Sequence, residues 1–157
     1  VVISVVLSFY WGTARQKVES PVTTSIDYDQ SNEAPITHLA CIMDGNRRWA
    51  QQHGLKKIEG HKAGIEAAKK TIEFCLQKKI KYLSLYTFST ENFNRAQDEV
   101  QGIFELMAHE AHKGVAEFKK HDIRVRFIGD RSLFPAQLVP LLEQFETETA
   151  PCDTLHV

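Results

Sequence analysis

The chain has 157 residues, 43% of them hydrophobic, the size and composition of one ordinary folded domain. Nineteen basic against twenty acidic side chains leave a formal net charge of -1, so no global field attracts nucleic acid and any anion must be held by a local cluster. Cys41, Cys75 and Cys152 are odd in number and widely spaced, which excludes a disulfide framework and a C-x-x-C zinc pattern and points to a reducing, cytoplasmic compartment.

The opening VVISVVLSFYW is apolar over 11 residues, short of the roughly 20 that span a bilayer, and no basic segment precedes it as in a signal peptide. Residues 12–37 are polar, contain Pro21 and Pro35, and show no sustained period. Residues 1–37 therefore read as a disordered leader, and 38–157 as a single domain. With no initiator methionine and an apolar, β-branched ending at CDTLHV, the chain reads as a fragment.

From His38 the pattern alternates. HLACIMD is a short apolar run, and HKAGIEAAKKTIEFCLQKK places Ile65, Ala68, Ile72, Cys75 and Leu76 on one helical face. KYLSLYTFS is β-rich again. The segment 98–122 should be the longest helix, with Asp98 as N-cap and Gln101 three residues on, and with Val100, Ile103, Phe104, Met107, Ala111, Val115 and Phe118 at helical spacing. IRVRFIGD alternates as a strand. FPAQLVPLLEQFETE reads as a helix with Pro135 near its first turn and Pro140 as an irregularity, and TLHV begins another strand. Strands separated by helices imply right-handed crossovers and an α/β fold, an open, mostly parallel sheet with helices on both faces.

Three polar motifs follow strands: DGNRRW after the first, STENFNR after the second and GDRS after the third. Ligands of open parallel sheets gather at such carboxyl ends. A helix starting after Asp44 would present the N–H groups of Gly45, Asn46 and Arg47 to an anion, and Arg47 and Arg48 add guanidinium donors suited to phosphate oxygens. A carboxylate beside phosphate oxygens is an ordinary way to hold Mg²⁺, so the cluster reads as a metal-diphosphate site. The plainer reading makes Asp44 a helix N-cap and the arginines solvated charges. Lys56, Lys57 and His61 at the next helix start, and Ser89, Thr90, Glu91, Asn92 and Arg95 in the loop after the second strand, fall at the same edge and favour the site. HEAH at 109–112 is one residue short of H-E-x-x-H and reads as helix surface. GDRS reads as a capped turn.

The segments HLACIMDGNRRWA, GHKAG, LYTFSTENFNR with the following DEV, and RVRFIGDRS stand in the order and spacing of the cis-prenyltransferase signature. From about His38 onward the chain resembles that family, most of all its bacterial undecaprenyl diphosphate synthase branch. The resemblance implies a parallel-sheet α/β homodimer that condenses isopentenyl diphosphate with an allylic diphosphate, usually farnesyl diphosphate, into a long cis-polyprenyl diphosphate whose product lipid is destined for the membrane. It implies that Asp44 is the essential carboxylate and a Mg²⁺ ligand. Gly45, Asn46, Arg47 and Arg48 would hold the allylic diphosphate, with Trp49 and His61 completing the pocket. Ser89, Thr90, Glu91, Phe93 and Arg95 would contact substrate, and Asn92 matches the position assigned to proton removal.

Apolar helix faces with Leu83, Leu85 and Phe88 could line a channel for the growing chain, Phe104 and Met107 first among them, although most such positions should be core. Lys57 stands where many relatives carry arginine, keeping the charge but losing the bidentate fork. The family's distal arginine-and-serine motif and its metal-completing glutamate have no match before Val157, so the resemblance implies that this stretch alone is inactive. The readings set against a synthase are a non-catalytic partner subunit of the same fold, a shorter-chain cis-prenyl diphosphate synthase, and a phosphatase, the last disfavoured by the lack of a candidate covalent nucleophile beside Asp44.

Overall fold

The computed structural model describes residues 35–157, so most of the leader expected at 1–37 lies outside the described residues. Strand β1 is His38–Ile42, and helices α1, Asn46–Gln52, and α2, Lys57–Gln77, follow it. Strand β2, Tyr82–Tyr86, leads through a 3₁₀ turn at Thr90–Asn94 into α3, Gln97–Lys120. Strand β3 is Ile123–Arg124, a second 3₁₀ turn spans Arg131–Leu133, α4 is Leu138–Thr149 and β4 is Leu155–His156.

All four strands are parallel, in the order β1-β2-β4-β3, with Leu39 beside Leu83, Cys41 beside Leu85 and Ile123 beside Leu155. Leu39, Cys41, Leu83, Ile123 and Leu155 point to one face and pack with Ile72, Cys75 and Ile80 from α2 and its exit. Val125 continues that face into a second cluster with Phe104 and Ala111 of α3 and Leu138, Leu142 and Phe145 of α4. Phe118 touches both clusters and joins them. Thus α2, α3 and α4 cover this face, while α1 rides on α2.

The other face carries His38, Ala40 and Ile42 opposite Tyr82, Ser84 and Tyr86. Ile42 and Tyr86 are 57% and 58% exposed, so among the described residues helices flank the sheet on one side rather than on both. The uncovered face mixes polar with aromatic groups: His38 Nε2 lies 2.9 Å from Ser84 Oγ, and Tyr82 packs on His156 with ring centroids 5.2 Å apart.

The helical stripes expected on α2 and α3 face inward, and His109 and His112 are exposed on α3 as expected. The boundaries differ at several element ends. The N-cap of α3 lies two residues earlier than expected, at Ala96, so Asp98 sits in the first turn and complements the helix dipole instead of capping. The strand expected over 123–130 is regular only at Ile123–Arg124, although main-chain pairing with the end of β4 runs on to Arg126, whose N–H donates to the Val157 carbonyl at 2.8 Å; on the outer edge Val125 N–H donates to Thr149 Oγ1 at 3.1 Å and Phe127 N–H to Glu146 Oε1 at 2.6 Å. Helix α4 starts at Leu138, three residues after Pro135, and Pro140 falls in its first turn, where a missing N–H costs no hydrogen bond. The GDRS turn is capped as expected: Asp130 accepts from Ser132 N–H at 3.0 Å and Ser132 Oγ–H at 2.7 Å.

Candidate functional site

Main-chain pairing carries β1 one residue past its end, Met43 N–H donating to Tyr86 C=O at 3.0 Å, before the chain turns at Asp44 and Gly45. Gly45 is the N-cap of α1 at φ 93°, a left-handed conformation natural to glycine, and Trp49 N–H closes the first turn on its carbonyl at 2.9 Å. Asp44 is therefore not the N-cap. Its Oδ1 instead accepts the Gly45 N–H at 2.6 Å and its Oδ2 accepts from Arg48 Nη2 at 3.0 Å. The Gly45 donor expected to meet an anion is thus engaged locally, whereas Asp44 and Arg48 stand in solvent, with side chains 76% and 70% exposed.

Helix α1 can lie this close to α2 because of the glycines in GHKAG. A Cβ on Gly60 would fall 2.0 Å from the Asn46 carbonyl oxygen, and one on Gly64 would fall 2.6 Å from the Asn46 side-chain amide. The two glycines, four residues apart on one face of α2, form a seat for Asn46, whose side chain packs on that helix. The docking buries Ala50 to 1% exposure. Trp49 remains 39% exposed and stacks on His53, centroids 4.3 Å apart.

The loop after β2 holds itself in shape. Ser89 and Asn92 form a capping box, with Asn92 Oδ1 accepting the Ser89 N–H at 3.2 Å. Ordinarily acceptor-only in this contact, that oxygen is committed to the turn. Thr90 and Glu91 are exposed, and hydrogen bonds from Ser89 and its own backbone hold the Glu91 carboxyl below its ordinary range. Phe93, 36% exposed, rests edge-on against Phe88 at 5.0 Å and tilted on Phe104 at 6.0 Å, tying the loop to the α3–α4 core. Phe104 is a packed core residue between Phe88 and Phe134, and it also borders a groove of about 410 Å³ with Val100, Ala108, Pro135 and Leu138. Met107 packs on the same core and does not line that groove.

DGNRRW, the start of α2 and STENFNR meet at Glu99, a residue not singled out in the sequence. It lies in the first turn of α3 with its side chain 4% exposed. Its Oε1 is 3.5 Å from Arg47 Nε, 3.4 Å from His61 Nε2 and 3.3 Å from Arg95 Nη1, and its Oε2 is 3.2 Å from Lys57 Nζ. The lysine contact is ionic but off hydrogen-bond geometry, so Oε2 keeps acceptor capacity. Burial works to raise the Glu99 pKa, but Lys57, His61 and Arg47 outweigh it and hold the carboxyl below its ordinary range. Burial likewise lowers the His61 pKa, opposed by Glu99, which favours a neutral imidazole amid two arginines. With His61 neutral, three fixed cations share one carboxylate and leave a local surplus of positive charge. A signal for Glu99 was present in the sequence: it stands four residues after Arg95 and four before Ile103, a carboxylate on the buried stripe of an amphipathic helix.

Among the described residues no group of three or more His, Cys, Asp or Glu side chains could enclose a metal ion. Asp44, exposed beside phosphate-suited donors, matches the mode in which Mg²⁺ takes one or two carboxylates and completes its shell with water and substrate phosphate.

Residues 42–157 match the prenyltransferase family model described as "Putative undecaprenyl diphosphate synthase". The chain is 44% identical over 128 residues to ditrans,polycis-undecaprenyl-diphosphate synthase ((2E,6E)-farnesyl-diphosphate specific) of Xanthomonas campestris pv. campestris, an alignment covering 82% of this chain and 50% of that one. It is 44% identical over 112 residues to an isoprenyl transferase of Aquifex aeolicus, covering 71% and 48%. Among solved structures, lavandulyl diphosphate synthase from Lavandula x intermedia in complex with dimethylallyl diphosphate superposes with a TM-score of 0.74 at 31% identity, covering 78% of this chain and 52% of that one. A probable undecaprenyl diphosphate synthase from Campylobacter jejuni gives 0.63 at 35%, covering 80% and 53%. The chain spans about half the length of the curated relatives it matches.

Proposed function

This chain belongs to the undecaprenyl diphosphate synthase family of prenyltransferases, and from that premise we propose that the protein it forms condenses isopentenyl diphosphate with an allylic diphosphate, farnesyl diphosphate foremost, into a long-chain cis-polyprenyl diphosphate. The observation that carries the reading is the convergence of Arg47, Lys57, His61 and Arg95, from three separate motifs, on one buried carboxylate at the carboxyl edge of the sheet. The lavender neighbour, bound to dimethylallyl diphosphate, supports an allylic diphosphate as the guest.

Breaking the allylic C–O bond places negative charge on the departing diphosphate and positive charge on carbon. Guanidinium and ammonium groups already fixed in place stabilise the leaving group where its charge grows, without reorganising first. Arg47 and Arg95 do this with the donors Glu99 leaves free and Lys57 adds a point charge, while His61, kept neutral by burial, spends its single N–H on Glu99 and braces the cluster. Arg48, on the solvent side, meets the same anion, and the Asn46 and Arg47 N–H groups supply main-chain donors.

Asp44 would hold Mg²⁺ in this reading, and the ion would supply neutralisation of the diphosphate charge there. The double bond of isopentenyl diphosphate then attacks the allylic carbon and a proton leaves. Asn92 cannot serve as the base while its carbonyl oxygen accepts from Ser89, so it orients the path of the proton and a diphosphate oxygen receives it. Ser89, Thr90 and Glu91 border the same loop, and Phe93 anchors it. Gly45, Asn46 and Trp49 shape the α1 side of the mouth.

A homodimer in the cytoplasm, working at the membrane surface where its lipid product is delivered, completes the proposal. Three buried free thiols support a reducing compartment, and among the described residues no helix is long and apolar enough to cross a membrane. Incubating the full-length protein with labelled isopentenyl diphosphate, farnesyl diphosphate and Mg²⁺ tests it. Labelled long-chain lipid is expected. A short labelled product moves the assignment to a shorter-chain synthase, turnover only with added partner moves it to an accessory subunit, and release of phosphate without lipid overturns it.

A further inference from the structure

Glu99 is an odd residue to find in an anion site, because a carboxylate repels the ligand its neighbours attract. Its side chain is 4% exposed, beneath Arg47 and Lys57 at 49% and 51% and beside Arg95 and His61 at 23% and 12%. The cations thus stand between it and solvent. None of the four contacts is shorter than 3.2 Å, so the carboxylate is shared loosely rather than locked in one bidentate pair.

Each arginine meets it edgewise. Arg47 uses Nε and keeps both Nη groups, and Arg95 uses Nη1 and keeps Nε and Nη2, with no other hydrogen-bond partner for these donors among the described residues. Arg47, Lys57 and Arg95, from α1, α2 and the loop before α3, are long, rotamer-rich and mutually repulsive. Without a common anchor they would disperse into solvent and would have to be gathered, at an entropic cost, when an anion binds.

Resting on the diphosphate reading above, we infer that Glu99 is the positioning residue of the anion seat: it touches no substrate, but, braced by His61, gathers Arg47, Lys57 and Arg95 so that their remaining donors meet in one place. The inference makes a signed claim against simple electrostatics. Removing a negative charge from a cationic site strengthens anion binding if charge alone matters; removing an anchor weakens it.

The test is calorimetric titration of the chain with inorganic pyrophosphate, without added divalent metal, comparing the unmodified protein with Glu99→Gln, which keeps shape and loses charge. The expected result is a loss of roughly 10- to 100-fold in affinity, the scale seen when an orienting partner behind a ligand-binding group is removed. Combined with Arg95→Lys, the double variant should lose no more than the worse single variant, because both changes break one device. Equal or tighter binding by Glu99→Gln, or strictly additive losses in the double variant, overturns the inference while leaving the diphosphate site intact. If Glu99→Gln does not fold, Glu99→Asp, which keeps the charge but shortens the reach, should also bind more weakly, and unchanged affinity there overturns it equally. Failure of the unmodified chain to bind pyrophosphate removes the diphosphate reading itself, and this inference with it.

Discussion

Asp44 and Glu99 are both carboxylates with an arginine four residues away, and the two surroundings could hardly differ more. The Asp44–Arg48 pair at 3.0 Å stands in solvent with a single partner. Glu99 lies under four partners with almost no exposure. An exposed pair on a flexible turn is weakly held and can exchange its partner when a ligand arrives. A buried one is costly to break because a stranded charge remains. The mouth therefore combines a rim carboxylate free to act on a ligand with a deep one that keeps the donors assembled.

The sharpest way to break this contrast is to delete each carboxylate in turn. Asp44→Ala should cut turnover of the full-length enzyme by roughly three orders of magnitude or more while leaving the melting temperature nearly unchanged, since it removes an interaction made with ligand and no packing. Glu99→Ala should show the reverse balance for stability, losing about 3 kcal/mol in denaturant unfolding because three cations lose their shared counter-charge. A melting temperature that falls as far for Asp44→Ala as for Glu99→Ala would erase the distinction.

Next in size is the seat beneath the rim. Gly60→Ala places a methyl 2.0 Å from the Asn46 carbonyl oxygen, a backbone atom that can only give way by lifting α1 from α2. We expect a loss of about 2–3 kcal/mol, with pyrophosphate affinity falling as Arg47 moves away from Glu99. Gly54→Ala, at φ 65° but with open space around it, should cost less and leave binding unchanged.

The smallest effect is the response to acid. Burial lowers His61 below its ordinary value of 6.5, so on acidification the unfolded chain takes up that proton first and folding stability falls as pH drops below about 6.5. A second loss begins below about 4.5, where unfolded glutamate protonates while Glu99, held low by its partners, stays ionised, and it completes as pH passes through the depressed Glu99 value. Both contributions have the same sign. Melting temperature measured across this range should fall as pH is lowered, and the lower step should shrink in Glu99→Gln, with the remainder due to other carboxyls such as Glu91 and Asp122 that are also held low; a rise between pH about 7 and 5 contradicts the assignment.

Much of this was legible in one dimension. The stripe from Ile65 to Leu76 and the one from Val100 to Phe118 follow helical spacing because each helix buries one face, and alternation in HLACI and YLSLY marks strands for the same reason. Arg47, Lys57, His61 and Arg95 could be nominated from their motifs and from the rule that ligands gather at strand ends. Element ends were not legible: neither the short regular span of β3 nor the shift from Asp98 to Ala96 at the start of α3 follows from residue preference alone.

The chain's own order of residues dictated a parallel α/β sheet and put polar groups at its carboxyl edge, since periodicity and turn chemistry act between neighbours a few positions apart. Which face of that sheet is covered, why GHKAG needs its two glycines, and how three cations and His61 come to share Glu99 were decided by tertiary contacts. Those depend on approaches between residues as far apart as Arg47 and Glu99, set by how α1, α2 and α3 dock, and short-range pattern carries no information about such distances.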